Sequence, residues 1–206
     1  MIRQEEVVLK RLCAGLMVLI VVLAPMYLVA GPATDSVKAN VTAVIDVLKD
    51  PKLKGPAGKK AKEQKIEVIA DRMFDYVELS KRTLGLNWNK FTVDQRKEFV
   101  ELFKGMLRDT YIDRITAYSN EQVNFTKELP LTENSVEVQT VVISSSARTP
   151  INYRAMKKGN EWKVYDVVIE GVSLVSNYRT QFRDILGNNP PQTLIDTLRK
   201  KKAGSK

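Results

Sequence analysis

Residues 136–143 read Val-Glu-Val-Gln-Thr-Val-Val-Ile, and residues 162–169 read Trp-Lys-Val-Tyr-Asp-Val-Val-Ile. In the first, Val136, Val138, Thr140 and Val142 alternate with Glu137, Gln139, Val141 and Ile143. A period of two is that of a strand with one face covered. Between the two stretches, Ile151, Tyr153 and Ala155 alternate again. Ser144–Ser146 and Pro150 mark a connection, and Lys158-Gly159-Asn160 a short turn. Residues 121–170 therefore predict a meander of about four antiparallel strands, beginning near Asn120, where the period changes from about 3.6 to 2.

Upstream the pattern is helical. Asp35 or Ser36 can cap a first helix carrying Val37, Val41, Val44, Ile45 and Leu48. Pro51, Gly55, Pro56 and Gly58 predict a loop. A second helix follows, with Ile66, Ile69, Ala70, Met73, Phe74 and Val77 as its apolar stripe. Thr92-Val93-Asp94-Gln95 has the spacing of a capping box. The helix it opens carries Phe99, Val100, Phe103, Met106, Leu107 and Tyr111 on one side. Two further helices close the chain, Ser173 to Leu186 and Pro191 to Lys200, the latter with proline at a first helical position. Helices, then a meander, then helices is an α+β arrangement: helices packed on one face of a twisted antiparallel sheet.

Composition narrows the chemistry. The 206 residues include 33 Lys+Arg, 24 Asp+Glu, no His and one Cys. Without His there is no Ser-His-Asp triad or imidazole metal site, and one Cys makes neither an intrachain disulfide nor a thiolate zinc site. No catalytic site, metal or cofactor is expected, and the chain does not read as an enzyme. Arg3, Lys10 and Arg11 precede 19 uncharged residues, Leu12 to Ala30, with small residues Ala30-Gly31-Pro32-Ala33 after them. That order is a secretory signal, residues 1–33, cleaved after Ala33 or, as a second choice, after Ala30. Its length also allows an uncleaved membrane anchor. Either reading carries the rest of the chain across a membrane. Residues 34–206 hold 30 Lys+Arg and 22 Asp+Glu, a net charge of +8. Export makes nucleic acid an unsuitable partner. The excess gathers at Lys49–Lys65 and in a basic flexible tail, residues 201–206, which suits either a solvated surface or an anionic partner.

The most specific stretch runs from Trp162 to Phe182. The Tyr165-Asp166 pair, the Glu170-Gly171-Val172-Ser173 turn, and Asn177-Tyr178-Arg179 with Phe182 resemble the signature of the MlaC family, also called the toluene-tolerance auxiliary family. Gly85, Trp88 and the helix from Thr92 through Gln95, Phe99, Phe103, Leu107, Thr110 and Tyr111 resemble its central helix. The resemblance covers roughly residues 36–200, and it implies a lipid-binding α+β domain, residues 34–200, with an apolar cavity between helices and sheet. It implies a monomeric periplasmic carrier of glycerophospholipid. Its partners would be an inner-membrane ABC transporter with an MCE-domain subunit and an outer-membrane lipoprotein complex.

Such a task is physically reasonable. Each CH₂ removed from water is worth about 0.8 kcal/mol, so a long acyl chain needs no clamp beyond a dry cavity. The candidate lining residues are Val138, Val142, Tyr153, Val164 and Val168 from strands, and Phe74, Phe99, Phe103, Leu107, Tyr111, Val172, Val175 and Tyr178 from helices. Plain core packing explains each as well, and a one-residue shift would invert the choice of sheet face. Gly171 is expected to serve a turn and Ser173 a helix cap. Asp166 and Glu170 lie roughly 13 Å apart on an ideal strand, too far for a paired-carboxylate site. A structural ion pair with Arg179 or Arg183 is expected for them. An enzyme using one of these carboxylates as a base, and a membrane-tethered interaction module without a ligand, are the competing readings.

Overall fold

The computed structural model describes residues 31–117 and 120–204. Helix α1 spans Pro32–Lys49. A 3₁₀ turn, Pro51–Leu53, leads into α2, Gly55–Met73. Helix α3 is Tyr76–Leu84, and after a second 3₁₀ turn α4 is Val93–Thr116. Strands β1 to β5 are Gln122–Thr132, Ser135–Ile143, Arg148–Lys158, Glu161–Ile169 and Val172–Ser173. Helices α5, Leu174–Leu186, and α6, Pro191–Gly204, complete the chain. The strands pair in sequence order, all antiparallel. The expected meander of four is present, with a two-residue fifth strand at its edge.

Several boundaries differ from the sequence reading, each for a local reason. Helix α1 begins at Pro32 rather than at an Asp35 or Ser36 cap. Gly31 precedes it without a side-chain cap, and Glu128 of β1 instead accepts from the Thr34 N–H and hydroxyl at 2.8 and 2.6 Å. A Cβ at Gly31 would stand 2.1 Å from a Glu128 carboxylate oxygen, so any side chain there would have to displace that carboxylate from Thr34. Ala33, fully buried, packs on the sheet, so the folded domain starts ahead of position 34. The expected signal or anchor otherwise lies outside the described residues. Gly55–Gly58 is helical, since Pro56 sits in the first turn, where its missing N–H costs nothing. The stripe expected to run from Ile66 to Val77 breaks at Phe74, whose backbone is extended and bridges to Val164 of β4. Asp75 then caps α3 by accepting from the Glu78 N–H, and Val77 turns to solvent. Helix α6 runs through Lys200–Lys202 to Gly204, so the lysines expected in a flexible tail are helical.

Other local expectations hold. Thr92 and Gln95 form a reciprocal capping box. Ser173 caps α5 by accepting from the Ser176 N–H. Glu170 and Gly171 make the two-residue β4–β5 turn with φ of 49° and 84°. Both values are positive, as the I′ hairpin geometry demands, and glycine at the second place removes one steric penalty.

Most of the buried apolar side chains fall into two clusters. One is built from helices and the turn before α4: Leu79, Phe91, Phe99, Phe103, Tyr178, Phe182 and Leu194 are at its centre. The other lies between the sheet and α1, with Val37, Met73, Val136, Val138, Ala155, Val164 and Val167. Phe74, at the α2–α3 break, packs against both.

Candidate functional site

Strand alternation decides which side chains share the apolar sheet face. On β2 that face carries Val136, Val138, Thr140 and Val142. Pairing places Tyr153 and Ala155 of β3 opposite Val138 and Val136. On β4 the phase changes midway. Arg154 pairs with Asp166 and Ala155 with Val164, which leaves Tyr165 as an extra residue, a β-bulge. Before the bulge Trp162 and Val164 face the α1 layer. After it Val167 and Ile169 do so, and Val168 is turned away.

The face has a packed floor and an open wall. Val138, Ala155 and Val164 are fully buried beneath α1. Around them Val41, Phe125, Ile151, Tyr153, Ile169 and Leu174 pack on the cluster but remain half-buried. Val142 lies on the same face, also half-buried, as are Val44, Ile45 and Leu48 on α1. Helix α1 touches all four long strands, so this surface belongs to the interior layer. Tyr153 shows the consequence. Burial pushes its phenol up to about 12, although part of the side chain remains accessible.

The sequence-derived candidates divide accordingly. Val138 and Val164 are fully buried on the sheet face, and Val142 and Tyr153 are half-buried on it. Val168 is a correction: the bulge at Tyr165 moves it to the opposite face, beside Asp166. Val172, 58% exposed at the hairpin, lines nothing. Phe99, Phe103, Leu107, Val175 and Tyr178 are packed helical core rather than wall. Phe103 is 1% exposed, and its ring meets those of Tyr178 and Phe182 edge-on, each at 5.2 Å. Tyr111 is half-buried against this cluster, its phenol raised by burial and by Tyr178 beside it. Phe74 bridges the two clusters. Sequence reading missed Phe125, Ile151, Val167, Ile169 and Leu174. The alternation around Tyr153 already contains Ile151.

The signature carboxylate is fully engaged in holding the fold. Asp166, 2% exposed, accepts from Arg154 at 3.3 Å, from the Ser173 hydroxyl at 2.6 Å and from the Val175 N–H at 3.0 Å. It thus ties β3, β4 and the start of α5 together. Its cationic partner is Arg154, which also reaches Glu137 at 3.0 Å. Arg179 instead donates to the Arg82 carbonyl, and Arg183 pairs with Asp184. Glu170 is exposed in its turn. Tyr165, in the bulge, lies under the Arg82 guanidinium at 4.0 Å from the ring centroid.

Two open grooves flank the β3–β4 hairpin. One, of about 510 Å³, is lined by Ser36, Asn40, Arg72, Lys157, Trp162 and Lys163 among others. The other, of about 470 Å³, includes Phe74, Asp75, Tyr76, Val100, Lys104 and Lys158. Both are rimmed by charge, unlike the sheet face. Among the described residues no helix is long and apolar enough to cross a membrane, and no group of three acidic or sulfur ligands could hold a metal ion.

Comparison with known proteins agrees with this architecture. The family model described as MlaC protein matches residues 38–200. The intermembrane phospholipid transport system binding protein MlaC of Haemophilus influenzae is 27% identical over 139 residues, which cover 64% of this chain and 65% of that protein, slightly under two thirds of its length. A toluene tolerance protein of Pseudomonas putida is 25% identical over 177 residues, covering 85% of this chain and 82% of that one. The phospholipid-binding protein of Ralstonia solanacearum, solved in complex with a phospholipid, has a TM-score of 0.75 at 25% identity, covering 85% of this chain and 99% of that chain.

Proposed function

The chain belongs to the MlaC family, and on that premise we propose that it is a periplasmic phospholipid carrier that holds acyl chains against the apolar face of its sheet. The observation that carries this reading is the half-buried wall of Phe125, Val142, Ile151, Tyr153 and Ile169 inside the layer under α1. Such apolar surface stays favourable only if something other than water covers it. A 16-carbon chain buried there gains roughly 12 kcal/mol as an upper bound. Retention then needs few polar contacts, and delivery needs a receiver that competes for the same chains. The likeness to a phospholipid-bound structure supports the choice of ligand. The carrier passes lipid between an outer-membrane lipoprotein complex and an inner-membrane ABC transporter with an MCE-domain subunit, acting as a monomer. Catalysis has no part in it: the carboxylate that could have served as a base, Asp166, already has three partners.

Export removes the leader after Ala30 rather than after Ala33, because Ala33 is needed in the packed interior. N-terminal sequencing of the exported protein checks this, and Thr34 as first residue refutes it. The function itself is tested by native mass spectrometry of the protein purified after export, followed by lipid extraction. One bound diacyl phospholipid is the expected result. A bare protein that also takes up no lipid from phospholipid vesicles overturns the proposal.

A further inference from the structure

Three hydroxyl side chains lie on the apolar sheet face, Thr149 at its end beside Val142 and, further in, Thr140 and Tyr153, which are treated differently. Thr140 is closed over, and its hydroxyl donates to the Ile151 carbonyl across the strand pair. Tyr153 sits between Val138 on β2 and Val167 on β4. Its phenol makes no hydrogen bond to any described residue, and it remains half-buried. In the empty protein water can meet that hydroxyl, but a lipid seated on the face would displace the water and leave the hydroxyl to find its partner in the lipid. Tyrosine with its ring on an apolar face usually finds a partner for its hydroxyl, and no described residue offers one.

We propose that the Tyr153 hydroxyl donates a hydrogen bond to an ester carbonyl of the bound lipid, so that the site prefers ester-linked glycerolipids over their ether-linked counterparts. This rests on the carrier reading above. An ester carbonyl, rather than the phosphate, fits the surroundings. The neighbours of Tyr153 on the face are Val138, Ile151, Ala155 and Val167. A phosphate brought among them would be a charge without a counter-charge, whereas a neutral carbonyl needs only the one donor. The nearest cation on the same face of β3, Lys157, is four residues along, roughly 13 Å away, at the groove under the hairpin. The phosphate therefore lies toward open water, and the glycerol esters mark the depth at which the chains begin.

The test removes the bond from each side in turn. The delipidated protein is offered mixed vesicles of diacyl phosphatidylglycerol and its dialkyl-ether analogue of equal chain length, and bound lipid is weighed by native mass spectrometry. A hydrogen bond of ordinary net strength gives a roughly two- to tenfold preference for the diacyl lipid. Tyr153→Phe abolishes that preference while the empty variant melts no lower than wild type, because the hydroxyl bonds no described protein group. Equal uptake of both lipids by wild type overturns the inference and leaves the carrier reading standing. So does a preference that survives in Tyr153→Phe, or a variant that loses both lipids equally and melts lower, as a purely structural side chain would. Uptake of neither lipid removes the carrier reading and this inference with it. If Tyr153→Phe does not fold, infrared spectra of wild type loaded with carbonyl-labelled lipid decide the matter. An ester stretch lowered relative to the lipid in hydrocarbon supports the bond, and an unshifted one overturns it.

Discussion

The helical cluster around Phe103 and the sheet face around Tyr153 draw on the same kinds of side chain and finish differently. In the first, aromatic rings from α4 and α5 interlock edge to face, and Phe99, Phe103 and Leu194 have essentially no accessible surface. In the second, valines and isoleucines from four strands face α1, and the floor is closed while the wall is not. The helical side has four helices to close upon itself, whereas α1 alone lies across the four long strands. One region is finished by the chain itself; the other keeps half-buried apolar side chains along one side. Packing is therefore densest on the helical side.

The largest test of that contrast is Val168→Glu. It would place a second carboxylate beside buried Asp166, on the face turned away from α1, and should cost more than about 3 kcal/mol or prevent folding. A stable, soluble variant would show that Val168 belongs to the open face after all. Phe103→Ala should cost about 3–5 kcal/mol in urea unfolding, because it removes the edge-on ring pairs together with the buried volume. A loss near 1 kcal/mol would mean that the helical cluster is also loosely filled. Asp166→Ala should cost about 2–3 kcal/mol, because Arg154, the Ser173 hydroxyl and the Val175 N–H lose a common acceptor. Lipid content should follow stability there, not fall ahead of it.

Val142→Glu reverses the pattern. At a half-buried position the charge reaches water at a cost of about 1 kcal/mol, while lipid retention drops sharply, as measured by lipid extraction from the folded variant. The smallest effect is expected from Lys158→Met. Burial pushes the Asp75 carboxyl up, but hydrogen bonds from Lys158 and the Glu78 N–H and the Lys158 charge outweigh it and hold Asp75 below its ordinary value. A carboxyl depressed in the folded state stabilises fully above the unfolded value of 3.8 and loses that contribution as pH falls through the folded value. Lys158 is largely exposed, so removing it should flatten the acid limb of the stability curve by less than about 1 kcal/mol. An unchanged acid limb would show that the backbone N–H groups of Val77 and Glu78 set the carboxyl without Lys158.

These contrasts also explain what could be read in the sequence. Alternation on β2 fixed the covered face because one register slip would expose Val136 and Val138 together. The Thr92 box was legible because its two side chains act locally. The α2–α3 break carries a signal too, Asp75 three residues before Glu78, but Phe74 continues the apolar stripe and masks it. The bulge at Tyr165 has no mark: in Val-Tyr-Asp-Val-Val any residue could be the extra one, so Val168 looked equivalent to Val164. Phe99 and Phe103 could not be told from a cavity wall, since both roles need apolar side chains at helical spacing. Only the neighbours decide whether the space beyond them is filled.

The bulge at Tyr165 also makes β4 a strand with two allegiances. Its first half gives Val164 to the sheet interior, and its second half sends Asp166 to anchor α5 and Val167 back to the sheet. One additional residue performs the division. Deleting Tyr165 would be a frameshift in space rather than in codons: every side chain after it would exchange sides, the carboxylate would enter the oily layer, and the last helices would lose their mooring while the composition of the strand hardly changed.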